Sequence, residues 1–169
     1  MPVASSRGRR PSIGSRMSVI GFPEVVDERA ARTVATGVVL LTLLALATRW
    51  PVVVALLVVG FAARVLSGPR FSPLALLATR VIVPRLSGAP RPVAGTPKRF
   101  AQAMGLAFST VALALLLIGL HAAAIVVLSM LLVAAGLEAS LGLCLGCKVF
   151  ALLARAGIVD DADCERCVA

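Results

Sequence analysis

Charged residues divide this chain into apolar runs of unequal length. Residues 33–48 carry no charge and lie between Arg32 and Arg49. Residues 51–63 are again uncharged and end at Arg64. Each run is shorter than the roughly 20 residues that cross a bilayer core. One helix through both would hold Arg49 near the bilayer centre at a cost of about 2.5–3.5 kcal/mol. Pro51 would also interrupt its hydrogen-bond ladder. The pattern therefore predicts a hairpin: one helix over 27–48, a turn at Arg49-Trp50-Pro51, and a second helix over 51–66. Trp50 is expected at headgroup depth, with Arg32, Arg49 and Arg64 snorkelling outward. From Phe100 onward the only ionisable residue before Glu138 is His121. This stretch is long enough for two further helices, with Gly119-Leu120-His121 as the turn.

Residues 67–98 read differently, being punctuated by Pro69, Pro73, Pro84, Pro90, Pro92 and Pro97. Ser72-Pro73 is an N-cap followed by proline at the first helical position. Leu74, Leu77 and Val81 then recur at helical spacing until Pro84. This predicts a short amphipathic helix lying in the membrane interface rather than crossing it. Thr96-Pro97 repeats the cap signal and opens the third span. Ala101, Gly105 and Ser109, like Gly136 and Ser140 and then Gly142 and Gly146, have the spacing that lets helices approach closely in lipid.

Composition agrees with the pattern. Of 169 residues, 59% are apolar and 15% charged, with no tyrosine. Soluble domains average about 25% charged residues, so a water-soluble enzyme and a disordered chain are both excluded. The expected fold is all-α: a polytopic membrane protein of four transmembrane helices with one interfacial amphipathic helix. Residues 1–20 form a basic tail expected to be disordered, 21–157 the membrane domain, and 158–169 a cysteine-containing tail. Arg9-Arg10 is not followed promptly by an apolar stretch, so it is not read as an export signal. The net charge is +9. All Lys and Arg except Arg49 fall in the N-terminal segment, the central loop or the C-terminal region. Both termini are thus expected in the cytoplasm, the basic residues facing lipid headgroups and not nucleic acid.

The chemistry-bearing residues gather near the C-terminus. Cys144 and Cys147 lie at the end of the fourth apolar run, and Cys164 and Cys167 lie in the tail. The C-x2-C-x16-C-x2-C spacing suits a four-cysteine zinc site. Thiol–disulfide or persulfide exchange is the other reading, with Cys144 and Cys147 reactive and Cys164 and Cys167 resolving or relaying. An unbroken fourth helix would deny Cys144 the help of a helix N-terminus. A break at Gly142 or Gly146 would place the pair at the head of a new helix, with Lys148 adding positive charge. Residues 148–156 read as a helix with Val149, Leu152 and Leu153 on one side and Gly157 as its stop. Glu138 is the one acid inside a span, with Gln102 or Ser109 as its expected partner. His121 reads as a solvated turn residue. One histidine and no tyrosine leave little for acid–base catalysis.

Residues 22–29 (Phe-Pro-Glu-Val-Val-Asp-Glu-Arg), Gly68-Pro69-Arg70-Phe71-Ser72-Pro73, Arg99-Phe100-Ala101-Gln102 and Cys144-Leu145-Gly146-Cys147-Lys148 resemble a bacterial membrane family known as a domain of unknown function, number forty-three ninety-five. The likeness extends over about residues 21–167. It implies a four-helix inner-membrane protein. It also implies a neighbourhood of thioredoxin-like or rhodanese-type sulfurtransferase proteins, and it assigns no activity. The leading expectation is an integral membrane thiol protein exchanging disulfide or persulfide sulfur with such a cytoplasmic partner. The alternatives are a non-enzymatic scaffold whose four cysteines hold a structural zinc, and a small transport or assembly subunit in which the cysteines are incidental.

Overall fold

The computed structural model describes residues 25–67, 72–82, 85 and 92–157. The basic leader, the tail and its Cys164 and Cys167, and the proposed stop at Pro84 lie outside the described residues. Among the described residues six helices follow one another: α1 (Glu28–Thr48), α2 (Pro51–Ser67), α3 (Pro73–Leu77, continued by a π-helical turn over Ala78–Ile82), α4 (Gly95–Leu117), α5 (His121–Leu141) and α6 (Leu145–Arg155). Two three-residue strands, β1 (Val25–Asp27) and β2 (Pro92–Ala94), pair antiparallel with Val25 opposite Ala94. The sequence pattern gave no sign of this ribbon. It ties together the chain just before α1 and just before α4.

Both hairpin turns fall where the breakers stand. Arg49 takes a left-handed conformation (φ 55°), and its N–H closes α1 onto the carbonyl of Ala45 at 2.8 Å. Pro51 then opens α2, where its missing N–H costs nothing. Asp27 caps α1 by accepting from Arg29 N at 2.9 Å. α4 opens at Gly95, one residue before the expected Thr96 cap.

Four helices pack in a closed ring, each against two neighbours: α1 with α2 and α5, and α4 with α2 and α5. Their inward stripes follow helical periodicity: Val38, Thr42 and Ala45 from α1; Val54, Leu57 and Phe61 from α2; Ala112 and Leu116 from α4; Ala124, Leu128, Leu131 and Ala135 from α5. The buried hydroxyls of Thr42 and Ser109 return to carbonyls one turn back, at 2.7 and 2.9 Å. The outward stripes are as apolar as the core. Leu40, Leu44, Val52, Leu56, Val59, Val111, Val126 and Val133 are all exposed. Helices apolar on every side fit a bilayer. α1, α4 and α5 are each long and apolar enough to cross one, whereas α2 is apolar but shorter.

Polar ties concentrate at one end of the ring, and they correct two expectations. Arg64 does not snorkel outward. It is buried, donating to Gln102 Oε1 at 2.8 Å and Ser72 Oγ at 3.3 Å, with its guanidinium 4.5 Å from the Phe61 ring centre. Arg32 likewise turns across to α5, donating to the carbonyls of Ala139 (3.3 Å) and Ser140 (2.6 Å). These are C-terminal carbonyls with no partner within their own helix, and a cation suits them. Small residues serve the packing unevenly. A Cβ on Gly105 would run into the Phe61 ring, whereas Gly136 has open space around it. In α3, Ala75 and Ala78 bury themselves with Val34 of α1, while Leu77 and Val81 stay exposed on the other side. That arrangement leaves the apolar side chains free for lipid. The side chain of Leu74 lies outside the described residues.

Arg64→Leu would remove the donor for both Gln102 and Ser72 in a buried site. Hydrogen bonds to a charged group contribute about 1.5–3 kcal/mol each. Detergent-solubilised protein should therefore lose several degrees of thermal stability, read by tryptophan fluorescence or scanning calorimetry. An unchanged unfolding temperature would show that the cluster contributes nothing.

Candidate functional site: a cysteine pair at a helix start

α5 stops because Gly142 adopts φ 71°, with its N–H on the carbonyl of Glu138 at 3.0 Å and the N–H of Leu143 on Leu137 at 3.2 Å. This is the Schellman-type closure that favours glycine. A Cβ there would also lie 2.8 Å from Glu28 Oε1. Two residues later Cys144 turns extended (φ −83°, ψ 101°) and becomes the N-cap of α6. Of the two arrangements open to the sequence, a break before the cysteine pair is the one adopted.

Cys144 Sγ accepts the backbone N–H of Cys147 at 3.3 Å. The sulfur thus occupies the position of the usual capping oxygen, facing unpaired N–H groups and the positive end of the helix dipole. Both cysteines are free thiols, Cys144 buried and Cys147 partly exposed. The hydrogen bond from the Cys147 thiol holds Cys144 below the ordinary thiol range. The Cys147 backbone N–H and Lys98 act in the same direction, while burial and Glu138 oppose them. Donating that hydrogen bond to Cys144 pushes the Cys147 thiol upward, and burial adds to that. The pair is therefore asymmetric, with Cys144 the better thiolate.

α6 docks on α4 and barely touches α5. The approach to α4 is close: a Cβ on Gly146 would lie 2.5 Å from that of Ala101. Phe150 stacks at a tilt on Phe100, with ring centres 5.6 Å apart. The buried side of α6 is formed by Phe150 and Ala154. The expected stripe of Val149, Leu152 and Leu153 is not the packed one, since Val149 and Leu152 are exposed. Gly157 ends the helix with φ 71°, as its position suggested.

Beneath the pair, Glu138 forms an ion pair with Lys98 of α4. Both side chains are shielded from solvent. The expected partners prove to be engaged elsewhere: Gln102 takes Arg64, and Ser109 bonds its own helix. Sequence reasoning missed Lys98. The usable signal was that a carboxylate inside a span needs a cation, and Lys98 opens the helix packed beside it. His121 is exposed at the opposite end. Among the described residues, no three His, Cys, Asp or Glu side chains cluster as a metal site. Cys164 and Cys167, which a four-cysteine site requires, lie outside them.

An all-helical bundle with apolar membrane-type helices and a helix-capping thiol pair defines the class. The family model for a domain of unknown function (DUF4395) matches residues 26–155, and the chain belongs to that family. No curated protein and no solved structure matches the chain.

The asymmetry between the thiols sets a pH dependence. A lowered pKa keeps Cys144 ionised at lower pH than an ordinary thiol of about 8.5. Cys147→Ala removes the main stabilising hydrogen bond, so the midpoint of Cys144 alkylation by iodoacetamide should move upward. Cys147→Ser, which retains a donor, should move it less. Equal midpoints in all three proteins would show that Cys147 does not tune Cys144.

Proposed function

We propose that this is an integral membrane thiol protein exchanging disulfide or persulfide sulfur with a cytoplasmic thioredoxin-like or sulfurtransferase partner. One observation carries the reading: Cys144 Sγ caps α6 and accepts from Cys147. A helix start stabilises the thiolate that must attack the partner's sulfur. One helical turn then separates the two residues, a spacing compatible with a bond between them. Attack by Cys144 on a partner disulfide forms a mixed disulfide and releases one partner thiolate. Cys147 then displaces the partner, leaving a Cys144–Cys147 bridge. In the persulfide form, the outer sulfur passes to Cys144 and the partner leaves as a thiolate. Cys164 and Cys167 resolve or relay from the tail.

In this reading all four helices of the ring cross the bilayer of the bacterial inner membrane. Arg49, Arg64 and Arg32 lie at the ends of the short hairpin, and local thinning accommodates α2. Arg29, Arg32, Arg64, Lys98, Arg99, Lys148 and Arg155 share the cysteine end, whereas the turns of the other end hold only Arg49. The positive-inside bias then puts the cysteine pair and both termini in the cytoplasm. That compartment is reducing, so the bridge forms transiently.

Single cysteines placed in a cysteine-free background test the orientation in intact cells. His121→Cys should react with an impermeant maleimide added from outside, and Thr96→Cys should not. The reverse pattern would overturn the topology.

The exchange itself is tested by trapping. Cys147→Ser should accumulate a partner disulfide-bonded to Cys144, recoverable without reductant and released by it. Cys144→Ser should trap none through that position. A structural zinc site predicts the opposite: about one zinc per chain, lost when any of the four cysteines is replaced. Stoichiometric zinc without a trapped species would overturn the exchange reading.

A further inference from the structure

Because α6 leans on α4 and leaves α5 almost untouched, a cavity of about 350 Å³ remains between them. This falls within the range of small-molecule sites, about 300–1,000 Å³. Its wall is mostly apolar, with Val38, Phe61, Phe108 and Leu131 contributed by four different helices. Polar groups gather at its cysteine end, where Gln102, Glu138 and Cys144 line it. Met130 also lines it and is itself exposed on α5. Met130 lies about 12 Å along the helix from Glu138, at 1.5 Å per residue. The opening therefore reaches mid-helix, a level that α5 as a span places in hydrocarbon. An occupant would enter sideways from the lipid and meet the thiol with its polar end.

We infer that this cavity receives a quinone-class, lipid-soluble oxidant that accepts electrons from the Cys144–Cys147 dithiol. The inference rests on the thiol-exchange reading, with the exchange run in reverse so that a partner dithiol reduces the Cys144–Cys147 bridge, and it supplies the oxidant that re-forms that bridge. A thiol pair that turns over must be oxidised as often as it is reduced. A quinone takes up two electrons and two protons and dissolves in hydrocarbon, which is what an entrance at this depth admits. Gln102 Oε1 is occupied by Arg64, which leaves its NH₂ as the donor for a quinone carbonyl on that wall. In the reaction the two S–H bonds break and one S–S bond forms. The two electrons and two protons convert the quinone to its hydroquinone. A dithiol partner at the cytoplasmic end then reduces the bridge and becomes a disulfide.

The test uses the full chain with Cys164→Ser and Cys167→Ser, reduced and purified without oxygen in detergent. Decylubiquinone is the probe. One quinone should be reduced per chain, with loss of both free thiols. Two variants obstruct the cavity: Ala134→Phe fills it, and Met130→Trp narrows its mouth from an exposed position that tolerates bulk. Each should slow quinone reduction by about tenfold or more, equivalent to about 1.4 kcal/mol on the barrier. Alkylation of Cys144 by water-soluble iodoacetamide reports whether the thiol site stays intact in each. Thiols that survive decylubiquinone in the parent protein, or oxidation at parental rate in both variants, would overturn the inference. If the parent resists the quinone while Cys147→Ser still traps a partner, the cavity inference alone fails. If the quinone oxidises the pair but no partner is trapped, the exchange reading fails.

Discussion

Lys98 and Glu138 face each other between α4 and α5 where neither has ready access to water. An unpaired charge in such a place is costly, so the two helices cannot slide past one another without exposing one to apolar surroundings. The pair fixes the register of α4 against α5, and that register determines what lies above it. Gly142 closes α5 one turn beyond Glu138, and the chain can then fold back onto α4 only where Gly146 meets Ala101. The cysteine loop is thus held from below by an ion pair and from the side by a contact that admits no larger residue. Arg64 and Arg32 repeat the device on two further helix pairs, joining α2 to α4 and α1 to α5.

These ties stand at one end of the ring for a physical reason. Between helices in lipid, apolar burial provides little preference, since the tails are as apolar as the side chains they replace. Specific pairing must come from polar contacts and close packing, and charged groups are least costly near the headgroups. The same end that tolerates arginine and lysine also tolerates an extended cysteine with a polar sulfur. Stabilising the bundle and lowering the pKa of the Cys144 thiol therefore draw on one local supply of cations and free N–H groups. The opposite end has only the turns at Arg49 and His121, and it is correspondingly simple.

Much of the architecture was legible because breakers and charges mark it. Pro51 after Arg49, and Gly119 before His121, placed both turns within a residue or two. The Cys-x-x-Cys spacing singled out the pair. The ribbon was not legible, since three residues on each side give no periodicity to detect. The inward turn of Arg64 was not legible either. An arginine at the end of an apolar run ordinarily snorkels, and only the distant Gln102 and Ser72 make the inward position favourable. Lys98 was overlooked for the same reason: its partner lies forty residues away and on another helix. Local pattern reports where a helix ends, whereas partner choice depends on which helices the ring brings together.

Gly142 shows how a small local feature decides the chemistry of the site. With an unbroken α5, Cys144 and Cys147 would sit in a helix interior, their N–H groups committed to carbonyls one turn back. A sulfur there faces a saturated backbone and behaves as a small apolar group. The left-handed residue at Gly142 and the extended one at Cys144 free the first N–H groups of α6, and the sulfur takes one of them. In the proposed topology the cost is a broken helix at the membrane boundary, where water can satisfy the carbonyls that Arg32 does not reach. Deeper in the bilayer the same break would leave backbone groups unpaired at several kcal/mol each. In the proposed topology the cysteine pair stands at the headgroup boundary, and that position is what permits a helix-capping thiol in a membrane bundle.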